Sequence, residues 1–316
     1  MKLIIQIPCY NEEQSLPITL SDLPKEVEGF DSVEWLVIDD GSTDRTVEVA
    51  RANGVAHVVS LHKHQGLAKG FMAGLNACLK LGADVIVNTD ADNQYFAGDI
   101  PKLTVYILKG TAQIVIGARS IDDIKHFSTT KKYLQKIGSW VVRKVSNTEI
   151  PDASSGFRAM SRDAAMRLNV FNGYTYTLET IIQAGQKDMA IISEPVRVNA
   201  NLRPSRLLRS IPSYLYKSFS TIVRIFVVYR PFRFFISIGS TLFGLGSLIA
   251  LRFLYYYLSG HGTGHVQSLI LSSVFLGIGF QTIIVAFLAD LLAVNRRLME
   301  DVKYRLKKNE CDRRKQ

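Results

Sequence analysis

A doubly wound, mostly parallel α/β sheet, followed by amphipathic interface helices and two transmembrane helices, is the fold class this sequence predicts. Three observations predict it. Short Val- and Ile-rich runs alternate with helical stretches through the first 118 residues. Two long apolar runs follow, Phe234 to Leu258 and Gln267 to Ala289, each longer than the ~20 residues that cross a bilayer core. A basic segment of helical periodicity leads into them. With 316 residues, 47% hydrophobic and 21% charged, the chain can bury a sizeable core and is no disordered or low-complexity polymer. Its three cysteines, Cys9, Cys78 and Cys311, are odd in number and scattered, which excludes a disulfide framework and zinc-ligand spacing.

The opening MKLIIQIPCYNEE reads as a first strand and not as a signal peptide. Its apolar run is short, alternates, and breaks at Pro8 without a cleavage-like site. Further strands are expected at Glu34 to Asp39, Ala56 to Leu61, Asp84 to Thr89 and Gln113 to Ala118. Helices are expected between them at Glu12 to Leu20, Thr43 to Asn53, Leu67 to Leu81 and Asp99 to Leu108. From Leu207 to Phe232, Leu207, Leu208, Ile211, Leu215, Phe219, Ile222 and Phe226 recur at helical spacing among Arg209, Lys217 and Arg224, and Pro212 breaks the run into pieces. Helices of this character lie in the membrane interface and are drawn to anionic lipid.

The net charge of +10 is unevenly placed. Residues 1–194 carry 20 Lys/Arg against 23 Asp/Glu, residues 195–233 carry eight basic and no acidic residues, and residues 296–316 carry nine basic against four acidic. The basic residues track the membrane segments and not the α/β part, which argues against nucleic-acid binding. The SGHGTGHV connection between the apolar runs has no Lys or Arg, whereas Arg230, Arg233, Arg296 and Arg297 flank the other ends. Both termini and the α/β domain are therefore expected on the cytoplasmic side. Arg252 is expected to snorkel to the interface. Gly239, Ser240, Gly244, Gly246, Gly277 and Gly279 would let helices approach closely, and a homo-oligomer through them is one expectation.

In a sheet of this kind ligands bind beyond the carboxyl ends of the strands. Those positions are polar and acidic: PCYNEE (Pro8 to Glu13), DDGSTD (Asp39 to Asp44), DADNQY (Asp90 to Tyr95) and Gly117-Ala118-Arg119. Neither a glycine-rich dinucleotide fingerprint nor a P-loop follows the first strand, which disfavours a dehydrogenase or an NTPase. The DDGSTD carboxylates can accept from a ribose hydroxyl or a base N–H, and Gly41 permits a tight turn, while Ser42 and Asp44 serve equally well as helix caps. Asp90 and Asp92, at i and i+2, fall on one side of an extended segment, with Gln94 continuing that side if it stays extended. Such hard oxygen ligands suit Mg²⁺ or Mn²⁺ shared with substrate phosphates.

The ordered series PCYNEE, DDGSTD, HQGLAKG (His64 to Gly70), DADNQY, GAR and SSGFRAM (Ser154 to Met160) resembles the inverting family 2 glycosyltransferases with the GT-A fold. Within them it is most similar to the polyisoprenyl-phosphate glycosyltransferases related to dolichol-phosphate mannose synthase, over most of residues 1–207. The two-helix anchor resembles that of the bacterial GtrB-type members, which transfer glucose from UDP-glucose to undecaprenyl phosphate. The resemblance implies that Pro8, Tyr10, Glu12, Asp39, Asp40, Gly66, Lys69, Asp90 and Ala91 bind the nucleotide, and that Asp90, Asp92 and Gln94 hold the metal. An anionic acceptor phosphate needs cationic guidance, for which Arg119, Arg158, Arg203 and Arg206 are the candidates, arginine forks being suited to phosphate. Arg203-Pro204-Ser205-Arg206, with Ser205, is similar to the basic-Ser-basic segment that family members place beside that phosphate, and a solvated positive-inside flank is the alternative. His64 stands where family members often carry asparagine and otherwise reads as a solvated loop histidine.

The chemistry agrees with the resemblance. Breaking a sugar–diphosphate bond needs charge neutralisation on the leaving group, which a divalent cation supplies as a Lewis acid. A lipid phosphate, with a second pKa of about 6, is already an anionic nucleophile at neutral pH, so a strong protein base is not required. The catalytic set expected is Asp92, Arg119, Asp152 and Glu179, with Asp152 a positioning group or optional base and Glu179 its runner-up. Either acid could instead be a helix-start residue. The expected activity moves a hexose, glucose from UDP-glucose first, onto a polyisoprenyl phosphate. A GDP-mannose-dependent synthase and a glycan synthase with another acceptor are the alternatives; Trp35 and Trp140 do not sit in the Gln-x-x-Arg-Trp setting of a processive synthase. The expected organisation is a catalytic domain over 1–207, juxtamembrane helices over 208–233, two transmembrane helices over 234–292 and a basic tail over 293–316.

Overall fold

A computed structural model of the chain describes residues 1–119, 129–170, 176–200, 220, 223–224 and 227–313. Strand β1 (Lys2–Cys9) is flanked on both sides and buried on both faces, with Leu3, Ile4, Ile5 and Ile7 fully enclosed, as a near-continuous apolar strand requires. On one side it pairs in parallel with β2 (Ser32–Asp39), in register from Lys2↔Ser32 to Cys9↔Asp39, and β3 (His57–Ser60) lies beyond. On the other it pairs in parallel with β4 (Val85–Asn88) only as far as Gln6↔Asn88. The strand continues through Pro8, which lies past the end of β4, where its missing N–H forfeits no ladder bond on that side.

All five expected strands form, with β5 at Ile114–Arg119, and two more join them. These are β6 (Arg158–Ser161), antiparallel to both β4 and β5, and β7 (Ile191–Val196), parallel to β5. The sheet is thus mixed, mostly parallel, with seven strands in the order β3-β2-β1-β4-β6-β5-β7. Four residues inside SSGFRAM are too few to show a strand period, so β6 declares itself only through its partners.

Helices α1 (Leu16–Asp22), α2 (Thr46–Ala52), α3 (Leu67–Lys80) and α4 (Ile100–Leu108) fall close to the expected positions. Helix α1 starts four residues later than predicted, because the N–H groups of Asn11, Glu12 and Glu13 go instead to Ser42 Oγ (2.9 Å), Thr46 Oγ1 (2.9 Å) and Asp44 Oδ2 (3.1 Å). PCYNEE is therefore a loop stitched to DDGSTD. Gly74 lets α3 lie directly on β1 and β2, since a Cβ there would fall 2.5 Å from Gln6 Oε1 and 2.7 Å from Ile38 Cδ1. Three further helices are described in this unit: α5 (Thr129–Ser146), α6 (Arg162–Arg167) and α7 (Thr177–Gln186).

The end of β7 is clamped to the start of α4. Asp99 is fully buried and accepts from the Arg197 backbone N–H (2.8 Å), from Arg197 Nη2 (2.7 Å) and from Lys102 Nζ (3.0 Å). Burial alone would raise its pKa, but these bonds outweigh it and pull the carboxyl down to about 2. Because that lies below the unfolded value of about 3.9, the stabilisation is complete above pH ~4 and is lost as pH falls toward 2. Asp99→Asn is expected to lower unfolding stability by about 1–2 kcal/mol at pH 7, with the gap closing between pH ~4 and ~2 in urea titrations.

By contacts the chain divides into two units, one of residues 1–214 with 302–316 and one of residues 215–301. The second holds α8 (Pro231–Leu258), a 3-10 turn at Gly262–His265 and most of α9 (Val266–Arg313). Both helices are long and apolar enough to cross a bilayer, with mean hydropathies of 1.9 and 2.1 in windows only 11% and 17% buried. Gly239, Gly246 and Gly279 are used within this helix pair, where added Cβ atoms would meet Ile283 N at 3.0 Å, Leu276 N at 2.9 Å and Phe243 N at 2.6 Å. Gly244 and Gly277 have nothing within 4 Å. Arg252 lies over the Tyr256 ring, 5.8 Å from its centroid.

The end of α9 packs on the unit that holds the sheet. Tyr304 Oη donates to Asp163 Oδ1 at 2.7 Å, the Arg167 guanidinium lies over the Tyr304 ring, and Cys311 is buried beside the Leu79 carbonyl. The segment read as juxtamembrane helices, with Arg203, Ser205 and Arg206 just before it, falls largely outside the described residues.

Candidate active site

The carboxyl ends of β1, β2, β4 and β5 bring four polar loops to one end of the sheet. After β4 the chain turns at residues 91–92, and Asn93 takes φ 54°, a left-handed value that asparagine tolerates. Asp90 and Asp92 therefore flank a turn and not the extended segment their spacing suggested. Gln94 leaves their side: its Oε1 accepts from Arg119 Nη1 at 3.3 Å. The turn is braced by Thr19 Oγ1, which donates to the Ala91 carbonyl at 2.9 Å, so Ala91 contributes through its backbone.

Beneath Asp90 lies a buried polar floor. Gln6 Nε2 donates to Asn88 Oδ1 (2.8 Å), and Asn88 Nδ2 donates to the Gly156 carbonyl and Tyr176 Oη (2.9 Å each). A Cβ at Gly156 would lie 2.8 Å from both Asp90 carboxylate oxygens, so glycine there makes room for the carboxylate. Burial first, and then the charge of Asp92, push the Asp90 carboxyl up to about 7 against the opposing pull of Arg119 and Arg158. A cradled pair of hard-oxygen groups, one of them short of positive charge, is a donor set that fits Mg²⁺ or Mn²⁺. Among the described residues no three His, Cys, Asp or Glu side chains converge into a cage. That suits a cation shared with substrate phosphates.

Opposite the carboxylates stands a nearly buried ion pair. Arg119 Nε and Nη2 donate to Asp152 Oδ2 (2.7 Å) and Oδ1 (3.1 Å), Nη2 also to Ser154 Oγ (2.8 Å), and the guanidinium lies near the face of the Tyr95 ring. With Gln94 on Nη1, four of its five N–H groups are engaged. Asp152 is fully enclosed, which would raise its pKa, but the charge and hydrogen bonds of Arg119 outweigh burial and hold it below the ordinary carboxylate range. Of the two roles the sequence leaves open for Asp152, this geometry favours positioning over proton abstraction.

The second side of the site is built from the loops after β1 and β2. Asp39 Oδ1 accepts the Ser42 N–H at 2.9 Å, which sets the carboxylate at the lip of the turn. Asp40 is occupied otherwise: its oxygens accept the N–H groups of Gln65 and Gly66 at 2.8 Å each, and His64 Nδ1 lies 2.9 Å from Oδ2. Asp40 thus holds the HQG loop against the DDG turn. His64 is exposed, as a solvated loop histidine would be, and its ring stacks on Tyr10 with centroids 3.9 Å apart. Glu12 is buried and accepts from Ser15 Oγ, Pro8 lies at the end of β1 against Gly70, and Lys69 is exposed in the first turn of α3 after Gly66.

Two other expected residues stand beneath the site. Arg158 is entirely enclosed, its guanidinium donating to the carbonyls of Thr177 and Ser155 and to Thr180 Oγ1 while packing over the Tyr176 ring. It supports the floor under Asp90 and presents no face to an acceptor phosphate. Glu179 is buried in the first turn of α7. Arg203, Ser205 and Arg206 lie outside the described residues. Sequence reasoning missed Tyr95, Ser154, Asn88 and Tyr176; the first two sit inside quoted motifs, and nothing local marks the others.

The profile of the family described as Glycosyl transferase family 2 matches residues 4–168, just over half of the chain. The chain belongs to that family. It is 29% identical over 206 residues to an undecaprenyl-phosphate mannosyltransferase from Micrococcus luteus, covering 62% of this chain and 83% of that one. It is 26% identical over 212 residues to a UDP-N-acetylglucosamine–dolichyl-phosphate N-acetylglucosaminyltransferase from Methanococcus voltae, covering 60% and 83%. Among solved structures, glucosyl-3-phosphoglycerate synthase from Mycobacterium tuberculosis, in complex with Mn²⁺, UDP and glucosyl-3-phosphoglycerate, aligns with a TM-score of 0.57 at 21% identity, over 72% of this chain and 78% of that one. The family 2 domain has the GT-A fold, and the chain is a glycosyltransferase.

Proposed function

We propose that this glycosyltransferase is held in a membrane by α8 and α9 and transfers a hexose, with inversion, from a nucleotide sugar to a polyisoprenyl phosphate. The observation that carries the reading is the meeting of a carboxylate pair fit for a divalent cation with the Arg119–Asp152 pair, in a chain that also has two bilayer-length apolar helices. Asp39 offers its carboxylate to the base or ribose of the donor, with the Tyr10–His64 stack beside it. Asp90 and Asp92 would hold Mg²⁺ or Mn²⁺, which when bound would supply Lewis-acid neutralisation of the departing diphosphate. Arg119 contributes a fixed positive charge for the acceptor phosphate, and Asp152 holds the plane of its guanidinium. A phosphate nucleophile with a second pKa of about 6 attacks without a strong base, so the weak proton affinity of Asp152 is no handicap.

UDP-glucose is the first donor reading, on the two-helix anchor, and the relative named as a mannosyltransferase supports GDP-mannose as the second. Arginines at 230, 233, 296 and 297 support a cytoplasmic catalytic domain. The test is transfer of radiolabel from UDP-glucose, GDP-mannose and UDP-N-acetylglucosamine into organic-extractable undecaprenyl phosphate, with and without Mg²⁺ or Mn²⁺. Metal-dependent label in the lipid phase from one donor is expected. Label found only in water-soluble or polymeric material would sink the lipid-phosphate acceptor.

A further inference from the structure

Tyr95 closes the DADNQY motif, is 3% exposed, and reaches both halves of the site with different atoms. Its hydroxyl accepts the Gly156 N–H at 3.0 Å. Gly156 is the residue that borders the Asp90 carboxylate, since a Cβ added there would lie 2.8 Å from both carboxylate oxygens. The Arg119 guanidinium lies over the Tyr95 ring, with Cζ 5.6 Å from the centroid. The bonds from Arg119 to Asp152, Ser154 and Gln94 engage only the rim of that planar group, and Tyr95 supports its face.

Tyr95 is itself held on two sides. Its flanking backbone is strapped to the chain leaving β7: the Asn199 N–H donates to the Gln94 carbonyl (2.9 Å), the Phe96 N–H donates to the Arg197 carbonyl (3.2 Å), and Tyr95 bridges Val198 in antiparallel fashion. Its ring stacks on the fully buried Phe157, with centroids 5.1 Å apart and planes 20° apart. Phe157 follows Gly156 in the chain, and its carbonyl accepts the N–H of Gly117 at 2.8 Å, in the strand that ends at Arg119. A ring needed only to fill space could be phenylalanine; here the hydroxyl fixes a backbone N–H beside the carboxylate. We propose that Tyr95 is a positioning residue that sets the Asp90 carboxylate, through Gly156, and the Arg119 guanidinium, through its ring face, in one arrangement. This rests on the reading of Asp90 as a cation ligand and of Arg119 as the charge that meets the acceptor. Because the two contacts use different atoms of one side chain, substitution separates them.

The full chain in detergent is titrated with Mn²⁺ alone, and the free ion is counted by electron paramagnetic resonance. Tyr95→Phe keeps the ring on Phe157 and under Arg119 but leaves the Gly156 N–H without its acceptor, and Mn²⁺ affinity is expected to fall about tenfold. The rate of sugar transfer lost in this variant is expected to return on raising Mn²⁺ about tenfold, a rescue that a general loss of folded structure would not show. Tyr95→Leu removes the ring as well, and its kcat at saturating Mn²⁺ is expected to lie about tenfold below that of Tyr95→Phe. If Tyr95→Leu fails to fold, Tyr95→Met fills the space in its place. Unchanged Mn²⁺ affinity in Tyr95→Phe, with or without a lower melting temperature, would overturn the proposal and leave the hydroxyl a structural bond. Equal kcat at saturating Mn²⁺ with and without the ring would also overturn it. Absence of Mn²⁺ binding in the wild type would overturn the cation reading and this proposal together, whereas binding that Tyr95→Phe leaves intact overturns this proposal alone. Counting Mn²⁺ needs no turnover, so failure to label any lipid phosphate would remove the acceptor reading while the titration still decides the role of Tyr95.

Discussion

Asp92→Asn is expected to lower kcat/KM for sugar transfer about 10³-fold, roughly 4 kcal/mol of transition-state stabilisation, while the protein stays folded. The loss follows from removing one of two anionic oxygens from a site with no third carboxylate among the described residues. A direct binding signature accompanies it. Asp90, half-buried against Gly156 and electrostatically coupled to Asp92, has its pKa raised to about 7, far above the unfolded value of about 3.9. The folded state therefore favours the protonated carboxyl, and the stability this lends is complete below pH ~4 and lost as pH rises through ~7. A divalent cation takes the place of the proton. The rise in melting temperature produced by Mn²⁺ is expected to grow between about pH 6 and 8, and to be small at every pH in Asp92→Asn. An equal Mn²⁺ shift in the wild type and the variant would show that the metal lies elsewhere.

Asp152→Asn is expected to reduce kcat about 10²-fold with little change in the donor KM, and to cost about 3–5 kcal/mol of stability, because it leaves the buried Arg119 guanidinium without its counter-charge. Arg119→Lys should reduce kcat at least as much, since an ammonium cannot hold Asp152, Gln94 and Ser154 together as the fork does. The pH–rate profile separates positioning from proton abstraction. With Asp152 as a positioning residue, the acidic limb survives in Asp152→Asn at a lower plateau. Disappearance of that limb would instead make Asp152 the base. Denaturant titrations run alongside ensure that both rates are read on folded protein.

Much of the architecture was legible because it depends on local periodicity. Strands β1 to β5 and helices α2 to α4 fell within a few residues of their expected positions, since a short buried β-branched run or an amphipathic turn carries its own signal. The boundaries that moved did so where backbone groups found distant partners. Helix α1 starts late because Ser42, Thr46 and Asp44 take the N–H groups of the preceding loop, and β6 exists because β4 and β5 leave a slot between them.

The site divides in the same way. Which residues are chemically able to hold a cation, a nucleotide or a phosphate was determined by the sequence, through carboxylates, arginines and glycines placed just after strands. What each of them does was decided by tertiary structure. Asp39 and Asp40 are neighbours of one type, yet Asp40 is spent on the N–H groups of Gln65 and Gly66. Gln94 belongs to the metal motif by spacing but turns to Arg119 because Asn93 adopts a left-handed conformation. Arg119 and Arg158 are equally basic, yet one is held at the strand ends by its pairing with Asp152 while the other is fully enclosed by Ser155, Thr177 and Thr180. The physical reason is common to all of them. A charged side chain has its intrinsic chemistry wherever it stands, but its pKa, its free hydrogen-bonding capacity and its access are set by groups up to tens of residues away, which only the folded chain brings within 3 Å.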